Sequence, residues 1–446
     1  MRGREGDIYS MYKRAFSKDH PQPHEREEHP HSYEREEHPY PHDKEEAGLL
    51  QNGFYKEELG NPSWKRPLPH ILVATLSSFL FGYHLGVVNE TLETISLDLG
   101  FGGSTMAEGL VVSTCLAGAF VGSIFSGWIA DGVGRRRAFQ LSALPMIIGA
   151  SMSATTSTIG SMLLGRFFVG TGMGLGPPVA ALYVAEVSPA FVRGTYGSFT
   201  QIATCLGIMG SLFIGIPSKN VVGWWRICFW ASTVPAALLA ILMEFCVESP
   251  HWLVKRGRTG AAEEELEKLV GGSHVKSAMA EFSKTEKVDE GDNVKMSDLL
   301  HGLHFRVVFI GSALFALQQL SGINAVFYFS STVFKSAGVP SDIANICIGI
   351  VNLTGSIIAM TLMDRLGRKV LLLWSFFGMV IDIFFSGVII GQSIMLQLEF
   401  ILIAFIRIFE IVFLFQACSM FSQVLAAVSF IPDSAKVYLS VGGILM

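Results

Sequence analysis

"DGVGRRR" (131–137) and "DRLGRKV" (364–370) repeat one pattern: an Asp, two residues, a Gly, then Arg and a second cation. The apolar run "VGSIFSGWIA" precedes the first copy and "TGSIIAMTLM" the second. Cations alone at such places would anchor the chain on the positive side of a membrane. The full pattern allows more, because an anion at a helix end and cations in a Gly-permitted turn can pair across neighbouring helices. Such a clasp breaks and re-forms if two bundles rock. Its recurrence points to two homologous halves with a solute site between them. Anchor and clasp are both compatible with these residues.

Around the two copies, the 446 residues are 50% hydrophobic and only 16% charged, with mean hydropathy +0.43. Soluble domains carry about 25% charged residues. Here the charge is confined to 1–70, 248–306 and short loops, and between them lie apolar runs of about 20 residues, enough to cross a bilayer as helix. The reading is an all-α polytopic membrane protein, with the lipid bilayer as a partner. Spans are expected near 71–88, 109–130, 138–157, 161–187, 196–216, 224–247, 306–334, 343–363 and 370–391, with further apolar stretches at 394–431 and from 437. The formal net charge of −5 gives no sign of nucleic-acid binding.

Lys65, Arg66, Arg135, Arg136, Arg137, Arg193, Lys255, Arg256, Arg258, Arg365, Arg368 and Lys369 flank alternate ends of these spans. The intervening loops are poor in cations, "NETLETISLDLGFGGSTMAEG" having none. This asymmetry places the amino terminus and the central loop on the cytosolic side. The chain accordingly divides into a tail (1–70), six spans (71–247), a central loop with short helices (248–305) and a second membrane region (306–446).

The tail repeats "EREEHP" at 25–30 and 34–39, and six of the twelve histidines lie at or before His42. Histidines at short spacing can chelate, but with so little apolar material the tail reads as solvated and disordered, and no metal site is assigned. Its acidity is also unlike a plastid transit peptide. Six cysteines, all in or beside spans, show no CxxC spacing and read as small packing residues.

Further motifs are "FLFGYHLGVVN" (79–89), "GRFFVGTGMGLG" (165–176), "YVAEVSPAFVRG" (183–194), "WWR" (224–226), "VESPHWL" (247–253) and "QQLSGINAVFYFSS" (318–331). Together with the doubled cluster they resemble the sugar porters of the major facilitator superfamily. "FGYHLGVVN" and "ESPHWL" are most similar to the plant plastidic glucose transporter group. Val247, His251 and Phe329 depart from the usual Pro, Arg and Tyr. The resemblance implies a major facilitator fold of two six-helix halves, a hexose substrate, no cofactor, no enzymatic activity and a plastid envelope or other endomembrane location.

The amides Gln201, Gln318, Gln319, Asn324 and Asn352 match the family's sugar-contacting positions. Their chemistry suits a ring of hydroxyls, since an amide both donates and accepts, and a polar group at mid-span is costly unless it faces partners or a cavity. The alternative is that each amide bridges helices without meeting solute. Gln318 and Asn324 are separated by about 600° of ideal helix rotation, so the intervening Ser-Gly would have to unwind to bring both to one cavity. By the same resemblance, Asp131, Arg135, Arg136, Glu186 and Arg193 form one cytosolic gate, and Asp364, Arg365 and Arg368 its counterpart.

"GTGMGLG" lacks the GxGxxG spacing of a nucleotide loop and sits within an apolar span, which points to helix packing. Where proton-coupled members carry an Asp after "FGY", this chain has His84. An imidazole can titrate near neutrality, yet the missing carboxylate favours facilitated diffusion over proton symport.

Less sequence follows Asp364 than separates Asp131 from the end of the sixth span. The stretch 380–416 also resembles nothing in the family. The second half is therefore expected to be incomplete, with 380–416 a possible insertion. A non-transporting truncated isoform or regulatory membrane protein stays open beside the transporter.

Overall fold

The computed structural model describes residues 62–219, 221–289, 309–313, 316, 341–366, 370–371, 373–374 and 377–378. The tail to residue 61, most of 306–340 and all that follows 378, including 380–416, lie outside the described residues. Those described are helical or in turns. Six long helices come first: α1 (Leu68–Asp98), α2 (Thr105–Val133), α3 (Arg135–Thr155), α4 (Ile159–Val187), α5 (Arg193–Ser218) and α6 (Trp224–Leu242), the last extended by a 3₁₀ turn over Met243–Phe245. Then come α7 (Pro250–Lys255), α8 (Thr259–Val270), α9 (Gly272–Asp289) and, beyond the central loop, α10 (Ser341–Leu366). Among the described residues seven helices, α1–α6 and α10, are long and apolar enough to cross a bilayer.

Their packing is that of a membrane bundle. On α2, Leu116, Phe120, Ile124 and Trp128 recur every fourth residue and are exposed, Trp128 by 78%. In water that stripe would be a large sticky patch; against lipid tails it is the preferred surface. The adjoining face carries Cys115, Ala119 and Ser123, all buried, and there α2 meets α4. A Cβ on Gly170 or Gly174 would lie 2.0 Å from the carbonyl oxygens of Cys115 and Ala119 respectively. From the other side, a Cβ on Gly118 or Gly122 would lie 2.2 and 2.1 Å from the oxygens of Phe167 and Thr171. "GTGMGLG" thus lets two backbones touch, which is how apolar helices associate where lipid is as apolar as the side chains. α1 and α5 approach each other in the same way at Gly82 and Gly207.

The first span is longer than hydropathy indicates. The stretch expected to leave the helix at 89 continues as α1 to Asp98, and α2 resumes at Thr105. Thr91, Leu92, Ile95 and Ser96 are buried, and Trp225 Nε1 on α6 donates to Asp98 Oδ2 at 2.7 Å. Packing, not apolar content, extends this helix. Because successive helices alternate in direction, the carboxyl ends of α2 and α4 share one end of the bundle with the start of α3 and α5. The carboxyl ends of α1 and α5 lie at the other.

Candidate functional site

The first charged turn is folded around one guanidinium. Gly134 separates α2 from α3 with φ 95°, and a Cβ there would lie 2.6 Å from Glu248 Oε2. Only glycine meets both the backbone and the space requirement. The turn brings Asp131 and Arg135 together: Arg135 Nη1 donates to Asp131 Oδ1 at 2.9 Å and to the Ala130 carbonyl at 3.0 Å. Its Nε and Nη2 grip Glu186 of α4 in a two-pronged contact of 2.9 and 2.7 Å. Arg135 is 1% exposed, so this is a desolvated, charge-assisted network.

Glu248 completes the turn from the central loop. Its carboxylate accepts from the backbone N–H groups of Arg135 (2.9 Å), Arg136 (3.3 Å) and Ser249 (2.9 Å). Two of these are orphan donors at the start of α3, where the helix dipole favours an anion. Burial raises the Glu248 pKa above the ordinary carboxylate value, and the three N–H donors oppose that rise. Trp252 Nε1 and Arg256 Nη2 donate to the Asp131 carbonyl at 2.9 and 2.6 Å, satisfying the open end of α2. Arg136 and Arg193 make further contacts at this end. Arg136 Nε donates to the Met243 carbonyl at 3.1 Å, and its Nη2 pairs with Glu244 Oε1 at 3.2 Å. Arg193 Nη2 reaches the Ser188 carbonyl at 3.5 Å.

At mid-depth a second constellation joins α5 to α10. Gln201 and Asn352 are 4% and 2% exposed. Gln201 Nε2 lies 3.8 Å from Cys205 Sγ, and that thiol lies 3.4 Å from Asn352 Oδ1 and 3.0 Å from Ser356 Oγ. Two of the five amides, 151 positions apart in the chain, therefore converge on one buried thiol. Gln318, Gln319, Asn324 and Arg368 lie outside the described residues, as do the side chains of Asp364 and Arg365.

The comparisons with known proteins bear on the family and the fold. Residues 70–434 match the family described as "Sugar (and other) transporter". The chain belongs to that family. Two Arabidopsis thaliana relatives are "Probable plastidic glucose transporter 3", 72% identical over 73% of this chain and 66% of its own length, and "Probable plastidic glucose transporter 2", 65% identical over 85% and 74%. "Plastidic glucose transporter 4" of the same plant is 43% identical over 71% of this chain and 58% of its own. The chain thus spans about two thirds of the length of these curated relatives. Among solved structures, the proton:xylose symporter XylE bound to 6-bromo-6-deoxy-D-glucose is 26% identical, with TM-score 0.74 over 85% of this chain and 86% of that one. This member of the sugar transporter family is a multi-pass membrane protein of the major facilitator fold, and it is not an enzyme.

In this family member, His84 is fully buried in α1, edge-on to Tyr83 with ring centroids 5.9 Å apart. Neither ring nitrogen has a hydrogen-bond partner among the described residues. Arg166 of α4 is itself fully buried and lies 5.9 Å from the Phe229 ring. Sequence reading assigned no site role to Glu248, Trp252, Arg256 or Cys205; it took Arg256 as a topology-setting cation and Cys205 as a packing residue. The signal for the first three was "VESPHWL", already marked as a motif, with Ser249 capping α7 over Pro250. Cys205 had none, because its two amide neighbours come from separate helices.

Proposed function

We propose that this chain moves a monosaccharide, glucose in the first instance, across a membrane by alternating access and facilitated diffusion. The observation that supports it most is the meeting of Gln201 and Asn352, from helices on either side of the central loop, at one buried depth. Both are donor and acceptor at once, as sugar hydroxyls require. Gln318, Gln319 and Asn324 are the further sugar contacts in this proposal. Asp131, Arg135, Arg136, Glu186 and Arg193 belong to the cytosolic gate, with Asp364, Arg365 and Arg368 on the opposing side. Glucose as the substrate and the plastid envelope as the site follow from the relatives' names. The amino terminus and central loop face the cytosol, in keeping with the cation distribution.

Facilitated diffusion rests on His84. A carboxylate at this position could bind and release a proton at mid-depth; His84 offers none, and its buried ring nitrogens have no hydrogen-bond partner among the described residues. Radiolabelled glucose uptake in transporter-deficient cells, with and without a protonophore, tests both points. Saturable uptake that survives the protonophore is expected. Collapse of uptake with the proton gradient would establish symport, the second reading, which the likeness to a named proton:xylose symporter favours. Correct membrane insertion without any uptake would instead make the chain a non-transporting partner of longer copies.

A further inference from the structure

Glu90 lies at the opposite end of the bundle from the Arg135 network, near the carboxyl end of α1, with its side chain only 2% exposed. A carboxylate buried to that degree is costly unless it is paired on both oxygens. Lys219, just past α5, lies 3.0 Å from Oε2 and 5.9 Å from the Trp224 ring. Asn345 of α10 donates through Nδ2 to Oε1. Asn345 is 3% exposed, so this bond is sealed from solvent. One carboxylate therefore ties the first six-helix block, through α1 and α5, to the helix beyond the central loop. The Arg135 network differs in kind, since its described members all come from the first block and the loop.

We propose that Glu90, with Lys219 and Asn345, is a positioning cluster that holds the non-cytosolic end of the transporter shut. This rests on the alternating-access reading above. Parting α10 from α1 at that end must break the Asn345–Glu90 bond, while the Lys219–Glu90 pair travels with the first block. Lys219 then holds the carboxylate in place, ready to recapture the amide on closure.

Cys205 is a reporter already in place, because it lies deeper along the same α5–α10 contact and is 1% exposed. The full chain at the surface of cells is treated with a membrane-impermeant maleimide from outside, and alkylation of Cys205 is followed by mass spectrometry. Glu90→Ala is expected to raise the alkylation rate roughly tenfold, as loss of a hydrogen bond to a charged group shifts a two-state equilibrium by about that factor. Asn345→Ala should reproduce the effect with the Lys219–Glu90 pair left in place, and Glu90→Gln, which retains an acceptor for Asn345, should stay close to the parent. The assay needs no net sugar flux, so it is separable from failure of the transport reading. Rates within twofold of the parent for both alanine variants would overturn the proposal. So would an equal acceleration from the cytosolic face in inverted vesicles, which would mean general loosening.

Discussion

The turn at Arg135 and the contact at Cys205 solve opposite problems with polar groups. At the turn, one guanidinium makes four contacts of 3.0 Å or less to Asp131, Ala130 and Glu186. Four described residues from α2, α3, α4 and the central loop lock together there: Asp131, Arg135, Glu186 and Glu248. At the contact, α5 and α10 meet through a thiol, a weak donor and weak acceptor, 3.4 Å from Asn352 and 3.0 Å from Ser356. The difference teaches which parts are built to move as one. Strong, bidentate, desolvated bonds belong inside a block that must stay rigid; weak, replaceable ones belong where a hydroxyl-rich solute could take their place.

Arg135→Ala should break that comparison most severely. Glu186 would be left buried without its cation, at about 3–5 kcal/mol, and thermal unfolding of the detergent-purified protein should show a large loss along with loss of glucose uptake. An unchanged unfolding temperature would mean that the turn is not the rigid element described. Gly134→Ala comes next. The residue sits at φ 95° and its new methyl would meet Glu248, so a loss of about 1–3 kcal/mol is expected by the same measurement.

Substitutions at the contact should show in transport rather than stability. Gln201→Ala and Asn352→Ala are each expected to raise KM for glucose roughly tenfold, about 1.4 kcal/mol, while unfolding moves little. Large destabilisation with unaltered KM would make both amides helix bridges instead of sugar contacts. Cys205→Ala should have the smallest effect, below about 1 kcal/mol in stability, with uptake retained; a collapse of uptake would promote the thiol from spacer to participant.

Much of this was legible in residue order. Gly170 and Gly174 showed close helix packing through their spacing, and the Asp–Gly–Arg pattern marked a turn able to bring an anion and a cation together. The limits were physical. Hydropathy ends the first span at 88, because seven of the ten residues from Asn89 to Asp98 are polar; their helix is held by Trp225 and by burial of Leu92 and Ile95. Arg136 and Arg193 have the same charge as Arg135, and nothing in their sequence neighbourhood told that one turns to Glu244 and the other to Ser188.

The sequence by itself determined that this is a membrane-spanning sugar transporter family member, since apolar length, cation asymmetry and short motifs are local properties written along the chain. Only the tertiary structure decided that Glu186 and Glu248 bind opposite sides of the Arg135 turn, that Gln201 meets Asn352 through Cys205, and that Glu90 reaches Asn345. Those pairings join residues from 51 to 255 positions apart. Their strength comes from shared burial, which no single helix can provide.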